Sequence, residues 1–362
     1  AAAAKYASIS QEILRAIEKG NEYLKSKQNP EGYWAQPSYP ALTALAVTAY
    51  MRDPANQGKP VPEYIRKGYD FILKSQKEDG SIFNRGMSSY NTAVCMMALL
   101  AANKEEYAPA ILKGRAYLIK QQNHFAPDNP YNGGIGYGDK QAPPIADLSN
   151  TSLALEAIYY SQKLAKDGKY GEQPDLDWNA ATEFINRCQQ NPAVNKEPWV
   201  SNDKSQLGGF VYRPGVSSAR DKKSAAFDKA DPPKAYGSMT YAGMQSLIYA
   251  NVDKNDPRVK LALKWLENSY SLDENPGMGV QGLYYYYQAM SKALSAMGID
   301  TLTLENGRKV DWRDELANKL ISIQKSDGSW VNTNNRWWEA DPVLVTSYCV
   351  LALEQLYHSI PR

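Results

Sequence analysis

The 362-residue sequence predicts an all-α fold, an (α/α)6 toroid of six outer and six inner helices that forms a single domain over residues 1–362. Two short phrases of sequence alternate along the chain, and each occurs six times. A period of this length indicates repeated supersecondary units. Because one helix pair cannot bury its apolar face alone, the pairs must stack, and six pairs suffice to close a double-walled ring. An open superhelical array of the same pairs is the alternative.

The first phrase is an apolar residue followed four places later by Gln, and it predicts the outer helices. Around Gln76, the residues Ile65, Tyr69 and Ile72 recur at helical spacing, and Gly80 stands where a left-handed helix end is expected. Such a helix is amphipathic and half-exposed. The six phrases end at Gln28, Gln76, Gln122, Gln189, Tyr270 and Gln324, with Tyr270 as the divergent fifth copy.

The second phrase is Thr followed six and seven places later by a small and then an apolar or aromatic residue, and it predicts the inner helices. These segments are apolar nearly all round, as in the stretch from Thr92 to Ala102. A helix of this kind is buried on every side. The six phrases begin at Thr43, Thr92, Thr151, Thr240, Tyr287 and Thr346, with Tyr287 in place of Thr in the fifth.

One segment departs from the helical pattern. Residues 301–310 alternate around Asn306-Gly307, which predicts a small β-hairpin. It falls between an inner helix and the next outer helix, and therefore on the face of the ring where inner helices end.

Loop lengths indicate where function lies. The separation from each Gln position to the next Thr position varies from 15 to 51 residues, whereas the return separation varies only from 30 to 38. The long loops therefore gather on the face where the inner helices begin, with insertions at 128–139, 207–236 and 332–341. Loops on a rigid scaffold commonly carry binding and catalysis, and helix N-termini add their positive dipole ends.

Composition limits the classes of partner. The formal net charge is +2 and Lys and Arg are scattered, so nucleic acid is not expected as a partner. No apolar run approaches the ~20 residues that span a bilayer. The excess of 26 Tyr and 8 Trp over 6 Phe favours partly wet surfaces such as ligand cavities or protein interfaces. The polar, Asn- and Tyr-rich composition favours an extracytoplasmic location, with the cytoplasm as the alternative.

Cysteine and histidine are too few to indicate metal or disulfide chemistry. Three Cys give no readable disulfide framework, and Cys95 and Cys349 fall in inner helices, where Cys is usually a small buried apolar residue. The two histidines, His124 and His358, have no metal-ligand pattern around them. No metal site and no cofactor are expected.

Three segments carry a family resemblance. Residues 76–83, 324–330 and, more weakly, 28–34 resemble the Gln-Trp repeats of the squalene-hopene cyclase and protein prenyltransferase superfamily. The resemblance extends over essentially the whole chain. It implies an (α/α)6 barrel in which each Gln caps a helix and the aromatic residue of each motif stacks between neighbouring repeats.

The resemblance does not extend to the catalytic acid of the cyclases. In that family the middle Asp of D-x-D-D-T protonates the substrate, and the similar segment here is Asp147-Leu-Ser149-Asn150-Thr151. Ser149 stands in the place of the proton donor, and a hydroxyl is far too weak an acid for a carbon–carbon double bond. Cyclisation by this mechanism is not expected unless an acid comes from Glu339 or Asp341.

The prenyltransferase chemistry is missing a decisive residue as well. Those enzymes hold zinc with a His that opens an inner helix, and Val345 stands in that position here. Valine cannot bind zinc. Fold alone does not supply function, so whether the protein is an enzyme stays open.

Three classes of function remain for the face where the inner helices begin. The first is binding or modification of an isoprenoid in a deep aromatic and aliphatic cavity. The second is a glycan-active lyase or hydrolase, or a glycan-binding protein, with an open polar cleft. The third is a non-catalytic scaffold that self-associates through Tyr-rich loops. The candidate ligand-binding residues are Asp147, Asn150, Arg213, Tyr236, Tyr284, Arg336, Trp337, Glu339 and Asp341.

Overall fold

A computed structural model describes residues 2–138, 145–219 and 231–362 of the chain. After a short N-terminal helix α1 (Ala2–Lys5), outer and inner helices alternate. The outer helices are α2 (Ala7–Ser26), α4 (Glu63–Lys74), α6 (Ala108–Lys120), α8 (Trp178–Asn186), α10 (Pro257–Asn268) and α12 (Trp312–Ile323). The inner helices are α3 (Pro40–Arg52), α5 (Ser88–Ala102), α7 (Leu148–Lys166), α9 (Gly237–Tyr249), α11 (Leu283–Ala296) and α13 (Pro342–Ser359).

The inner helices form a closed ring. Each packs against the next in the order α3, α5, α7, α9, α11, α13, and α13 packs back against α3. Helix α2 also packs against both α12 and α13, so the outer wall is continuous across the first and last pairs. The predicted (α/α)6 toroid is confirmed, and the alternative of an open superhelical array is wrong.

The recurring Gln side chains link neighbouring helix pairs. Gln76 Nε2 donates to Gly80 O at 3.1 Å and to Ala110 O in α6 at 2.9 Å. Gln324 Nε2 donates to Gly328 O and to Ala16 O in α2, both at 3.0 Å, and so connects the last pair to the first. The same paired bonds to a Gly carbonyl and to the next outer helix or its N-cap are made by Gln28, Gln122 and Gln189.

The recurring Thr side chains fix each turn to its inner helix. Thr43 Oγ1 accepts from the backbone N–H of Trp34 at 2.9 Å, and Thr346 Oγ1 accepts from that of Trp330 at 3.0 Å. The buried ring of Trp34 lies against Gly68 of the next outer helix, as the family resemblance implies for the aromatic residue. Equivalent backbone bonds are accepted by Thr92, Thr151 and Thr240.

The predicted β-hairpin is also present. Strand β1 (Thr301–Thr303) pairs antiparallel with β2 (Lys309–Asp311), with Leu302 opposite Val310. Leu302 and Val310 are fully buried. The hairpin joins inner helix α11 to outer helix α12, on the face away from the long loops. Over the described ranges, no helix combines the length and apolar character needed to cross a lipid bilayer.

Candidate functional site

A cavity of about 460 Å³ opens where the inner helices begin. Its walls come from the first turns of five inner helices, with Tyr90 from α5 and Tyr285 from α11 on opposite sides of the ring. We name it the upper cavity. Its aromatic lining residues are Tyr90, Tyr137, Tyr212, Tyr236, Tyr285, Tyr348, Trp337 and Trp338.

The tyrosine hydroxyls add polar groups to the largely apolar upper cavity. The hydroxyl of Tyr212 donates to that of Tyr137 at 3.1 Å. Burial raises the pKa of Tyr285 to about 12, and burial also raises the pKa values of Tyr90 and Tyr348. The phenols therefore stay protonated at neutral pH and remain both hydrogen-bond donors and acceptors.

A buried carboxyl supports one side of the upper cavity. Asp147 is the N-cap of α7, and its Oδ1 accepts from the backbone N–H of Asn150 at 2.7 Å while its Oδ2 accepts from Asn150 Nδ2 at 2.8 Å. Asn150 lines the cavity, and its Oδ1 is buried without a hydrogen-bond partner. This arrangement fixes the Asn150 side chain at the cavity wall through Asp147.

Burial sets the protonation of Asp147. The side chain is only 2% exposed, and desolvation raises its pKa from 3.8 to about 6, against the opposing hydrogen bonds of Asn150 and the charge of Arg213. The Arg213 guanidinium also lies over the ring of Tyr212, 6.0 Å from its centroid. Asp147 therefore changes protonation state in the range just below neutral pH.

The pKa of Asp147 predicts a pH-dependent stability. Between pH 4 and pH 6 the native state holds this proton and the unfolded state releases it, so stability falls as pH rises. Asp147→Asn lacks the ionisable carboxyl, so its stability does not have this pH dependence. We expect the free energy of unfolding of the variant to gain up to about 3 kcal/mol relative to the wild type as pH rises from 4 to 7. Urea titrations of both proteins measure this, and parallel pH profiles would contradict the assignment.

The rim of the upper cavity is a strained tryptophan turn. Trp337 and Trp338 have φ of 55° and 65°, in the left-handed region that side chains avoid. They are 45% and 41% exposed. Trp338 packs on Tyr39 with ring centroids 4.9 Å apart, and the Arg336 guanidinium lies 4.3 Å from the ring centroid of Trp337. Strain of this kind is often found at ligand clamps.

Glu339 holds this turn against the start of α11. Its carboxylate accepts from the backbone N–H groups of Tyr284 and Tyr285, at 3.1 and 2.9 Å, and from Asn332 Nδ2 at 3.0 Å. Glu339 lines the cavity and is fully buried. Burial raises its pKa, opposed by these donors. With three donors aimed at it, this carboxyl positions the rim.

The structure brings four of the nine predicted residues to the cavity wall and places the others around it. Asp147 and Arg213 lie behind the wall, and Arg336 lies above Trp337 and donates to Gln281 Oε1 at 2.6 Å. Tyr284 packs on Tyr287, and Asp341 caps α13 by accepting from the backbone N–H of Val343, so neither lines the cavity. The four at the wall are Asn150, Tyr236, Trp337 and Glu339.

Most of the tyrosines at the wall are absent from the sequence prediction. The repeat contains the signal that could have found two of them, Tyr90 and Tyr285. The positions two residues before the recurring Thr line the cavity in five of the six inner helices, as Tyr90, Ser149, Ser238, Tyr285 and Leu344. Ser149, in the place of the cyclase proton donor, therefore does face the cavity. Asp139 and residues 220–230 of the long insertions lie outside the described residues.

The described residues contain no group of three or more His, Cys, Asp or Glu side chains that could hold a metal ion. Val345, in the place of the prenyltransferase His, is fully buried. Cys95, Cys188 and Cys349 are buried and free.

No protein-family model matches the sequence. The chain does resemble solved structures of the type II terpene cyclase MstE from Scytonema. With a variant of MstE in complex with its substrate, geranylgeranyl dihydroxybenzoate, the identity is 10%, the match covers 97% of this chain and 99% of that chain, and the TM-score is 0.58. With ligand-free MstE the identity is 11% and the TM-score 0.57, over 97% of this chain and 99% of that chain.

A protein from Actinoplanes matches at 12% identity with a TM-score of 0.51, over 96% of this chain and 99% of that chain. Likeness at such low identity concerns the fold and not the activity. The chain has the α/α toroid fold of the type II terpene cyclases.

Proposed function

We propose that the protein binds an isoprenoid ligand in the upper cavity and does not cyclise it by protonation. The observation that carries the proposal is the cavity itself, about 460 Å³ in volume and walled mainly by tyrosine, tryptophan and aliphatic side chains. A concave, largely apolar site of a few hundred Å³ with a few polar groups is typical of small-molecule binding.

The lining also favours a particular ligand chemistry. The faces of Tyr90, Tyr285 and Tyr348 offer apolar, π-rich surface to a polyene chain. The tyrosine hydroxyls of the wall offer acceptors to a hydroxyl group. The proposed ligand therefore has an isoprenoid chain and a polar end that can donate a hydrogen bond. MstE, which shares the fold, is recorded with a geranylgeranyl-substituted dihydroxybenzoate, a molecule of this general type.

The carboxyl groups near the cavity do not favour alkene protonation. Glu339 accepts three N–H groups. Asp147 reaches the cavity only through Asn150, and its pKa of about 6 makes it a weak acid. Ser149 stands at the wall with a hydroxyl. An unchanged ligand is therefore the expected outcome of incubation.

Calorimetric titration with geranylgeraniol tests the proposal. We expect saturable binding that weakens roughly 10- to 100-fold in Trp337→Ala, because a large aromatic contact at the rim is lost. Trp178→Ala, at the start of outer helix α8 and away from the cavity, serves as the matched control and should bind as the wild type does.

Three results would contradict the proposal. The first is absence of binding by the wild type, and the second is equal affinity in Trp337→Ala. The third is a cyclic product in the recovered ligand. Saturable binding of oligosaccharides in place of the isoprenoid would favour the glycan alternative.

A further inference from the structure

A second cavity, of about 560 Å³, opens at the opposite face, where the inner helices end. We name it the lower cavity. Every inner helix contributes to it the residue nine places after the recurring Thr position: Arg52, Ala101, Tyr160, Tyr249, Ala296 and Gln355. The lower cavity is therefore built by the ring as a whole and not by one loop.

An ion pair separates the lower cavity from the upper one. Lys292 Nζ of α11 lies 2.6 Å from Glu156 Oε2 of α7, with side chains only 18% and 10% exposed. Both residues line the lower cavity and also a narrow neck of about 50 Å³ on the ring axis. Tyr90 and Tyr285 of the upper cavity line the other end of this neck. The toroid thus has two chemically different cavities that meet at a charged constriction.

Arg52 places a guanidinium in the lower cavity that has no described ion-pair partner. Glu156 neutralises Lys292, whereas in the described ranges Arg52 forms no ion pair within 4.0 Å. Its neighbour Asp53 accepts from Asn21 Nδ2 and from the backbone N–H of Ala55. Burial raises the pKa of the Glu354 carboxyl well above its usual value, against the opposing charge of Arg52.

The remaining lining suits a small amphiphilic molecule. Met97 and Leu100 provide apolar surface next to Arg52 in the lower cavity. Gln245 Nε2 donates to the hydroxyl of Tyr249 at 2.6 Å, and the hydroxyl of Tyr249 also bonds that of Tyr160, so both phenols add polar groups to the lining. The carbonyl ends of the inner helices carry partial negative charge, so any anion must be held by the side-chain cation.

We propose that the lower cavity binds a small organic anion, a carboxylate or a phosphate monoester, with Arg52 as its cationic partner. A guanidinium presents parallel N–H groups that match either anion. The apolar part of the ligand packs on Met97 and Leu100. This site is independent of the isoprenoid site in the upper cavity, because different residues form it.

Calorimetric titration with hexanoate and with hexyl phosphate tests this site, with hexanol as the neutral and hexylamine as the cationic counterpart. We expect saturable binding of at least one of the two anions and of neither counterpart. Arg52→Gln should weaken the anion roughly 10- to 100-fold, as for loss of charge-assisted hydrogen bonds, and Arg52→Lys should weaken it less. Arg66→Gln, on the exposed surface of outer helix α4, is the matched control.

Geranylgeraniol binding should be unchanged in Arg52→Gln, which shows that the variant is folded and separates the two sites. Anion binding should likewise be unchanged in Trp337→Ala. The proposal is overturned if neither anion binds the wild type, if Arg52→Gln binds the anion as tightly as Arg66→Gln does, or if hexylamine binds in their place.

Discussion

Replacing Gly80 with alanine is expected to destabilise the protein by more than about 4 kcal/mol, the range of severe backbone clashes. Gly80 has a φ of +92°, and a Cβ placed there would lie 2.1 Å from Lys113 O in α6. Neither backbone can move freely, because Gln76 bonds both Gly80 O and Ala110 O. The methyl group would therefore push the Gln76 turn away from the next helix pair.

Gly58→Ala provides the matched control. Gly58 also has a positive φ, +74°, but no atom lies within 4 Å of the position of a Cβ. Only the cost of the left-handed conformation applies there, about 1–2 kcal/mol. Denaturant midpoints of the two variants measure the difference. If the two midpoints fall by the same amount, the clash with Lys113 O does not contribute to the effect of Gly80→Ala.

Filling the upper cavity from within is expected to abolish isoprenoid binding. Leu153 lines the upper cavity and the neck, so Leu153→Trp places its additional atoms in the space that the ligand would occupy. We expect the affinity for geranylgeraniol to fall at least about 100-fold, because a steric clash removes several kcal/mol of binding free energy.

The control substitution lies on the same helix. Leu164, near the C-terminal end of α7, faces a surface depression outside the ring axis. Leu164→Trp should bind geranylgeraniol as the wild type does in the same calorimetric titration. Tight binding by Leu153→Trp would place the ligand outside the upper cavity.

The ring could be predicted from the sequence because its two recurring phrases each encode a recurring bond. Gln76 and its equivalents bridge to the next outer helix, and Thr92 and its equivalents anchor the turn to the inner helix. These bonds need one residue type at one spacing, so they remain readable when the rest of each pair has diverged. Tyr287, in the place of Thr, shows a different solution, since its hydroxyl reaches Leu272 O from the same position.

The position of the upper cavity could be predicted from the sequence, but only some of its lining residues could. Loop lengths indicated the face of the ring on which the upper cavity opens. The choice of Tyr284 missed Tyr285 by one residue, and one residue turns a helical side chain by about 100°. The positions two residues before each Thr would have resolved this, since Tyr285 and Tyr90 share that place.

Other features depend on the folded chain and could not be read from the sequence. Tyr137 and Tyr212 come from separate loops, and the contact between their hydroxyls exists only once those loops pack together. The raised pKa of Asp147 arises from burial beneath the same loops. The ion pair of Lys292 and Glu156 joins α11 to α7 past the intervening α9, so it forms only once these three helices are packed together.

The hydrogen bond from Gln324 to Ala16 means that this array has no terminal unit. In an open solenoid the end units have one neighbour each, so they fray first and need polar caps. Here α2 has α12 on one side and α3 on the other, and no pair is left with a bare edge. Peeling of the first pair would therefore break two interfaces at once, and we expect the loss of structure to be cooperative around the whole circumference.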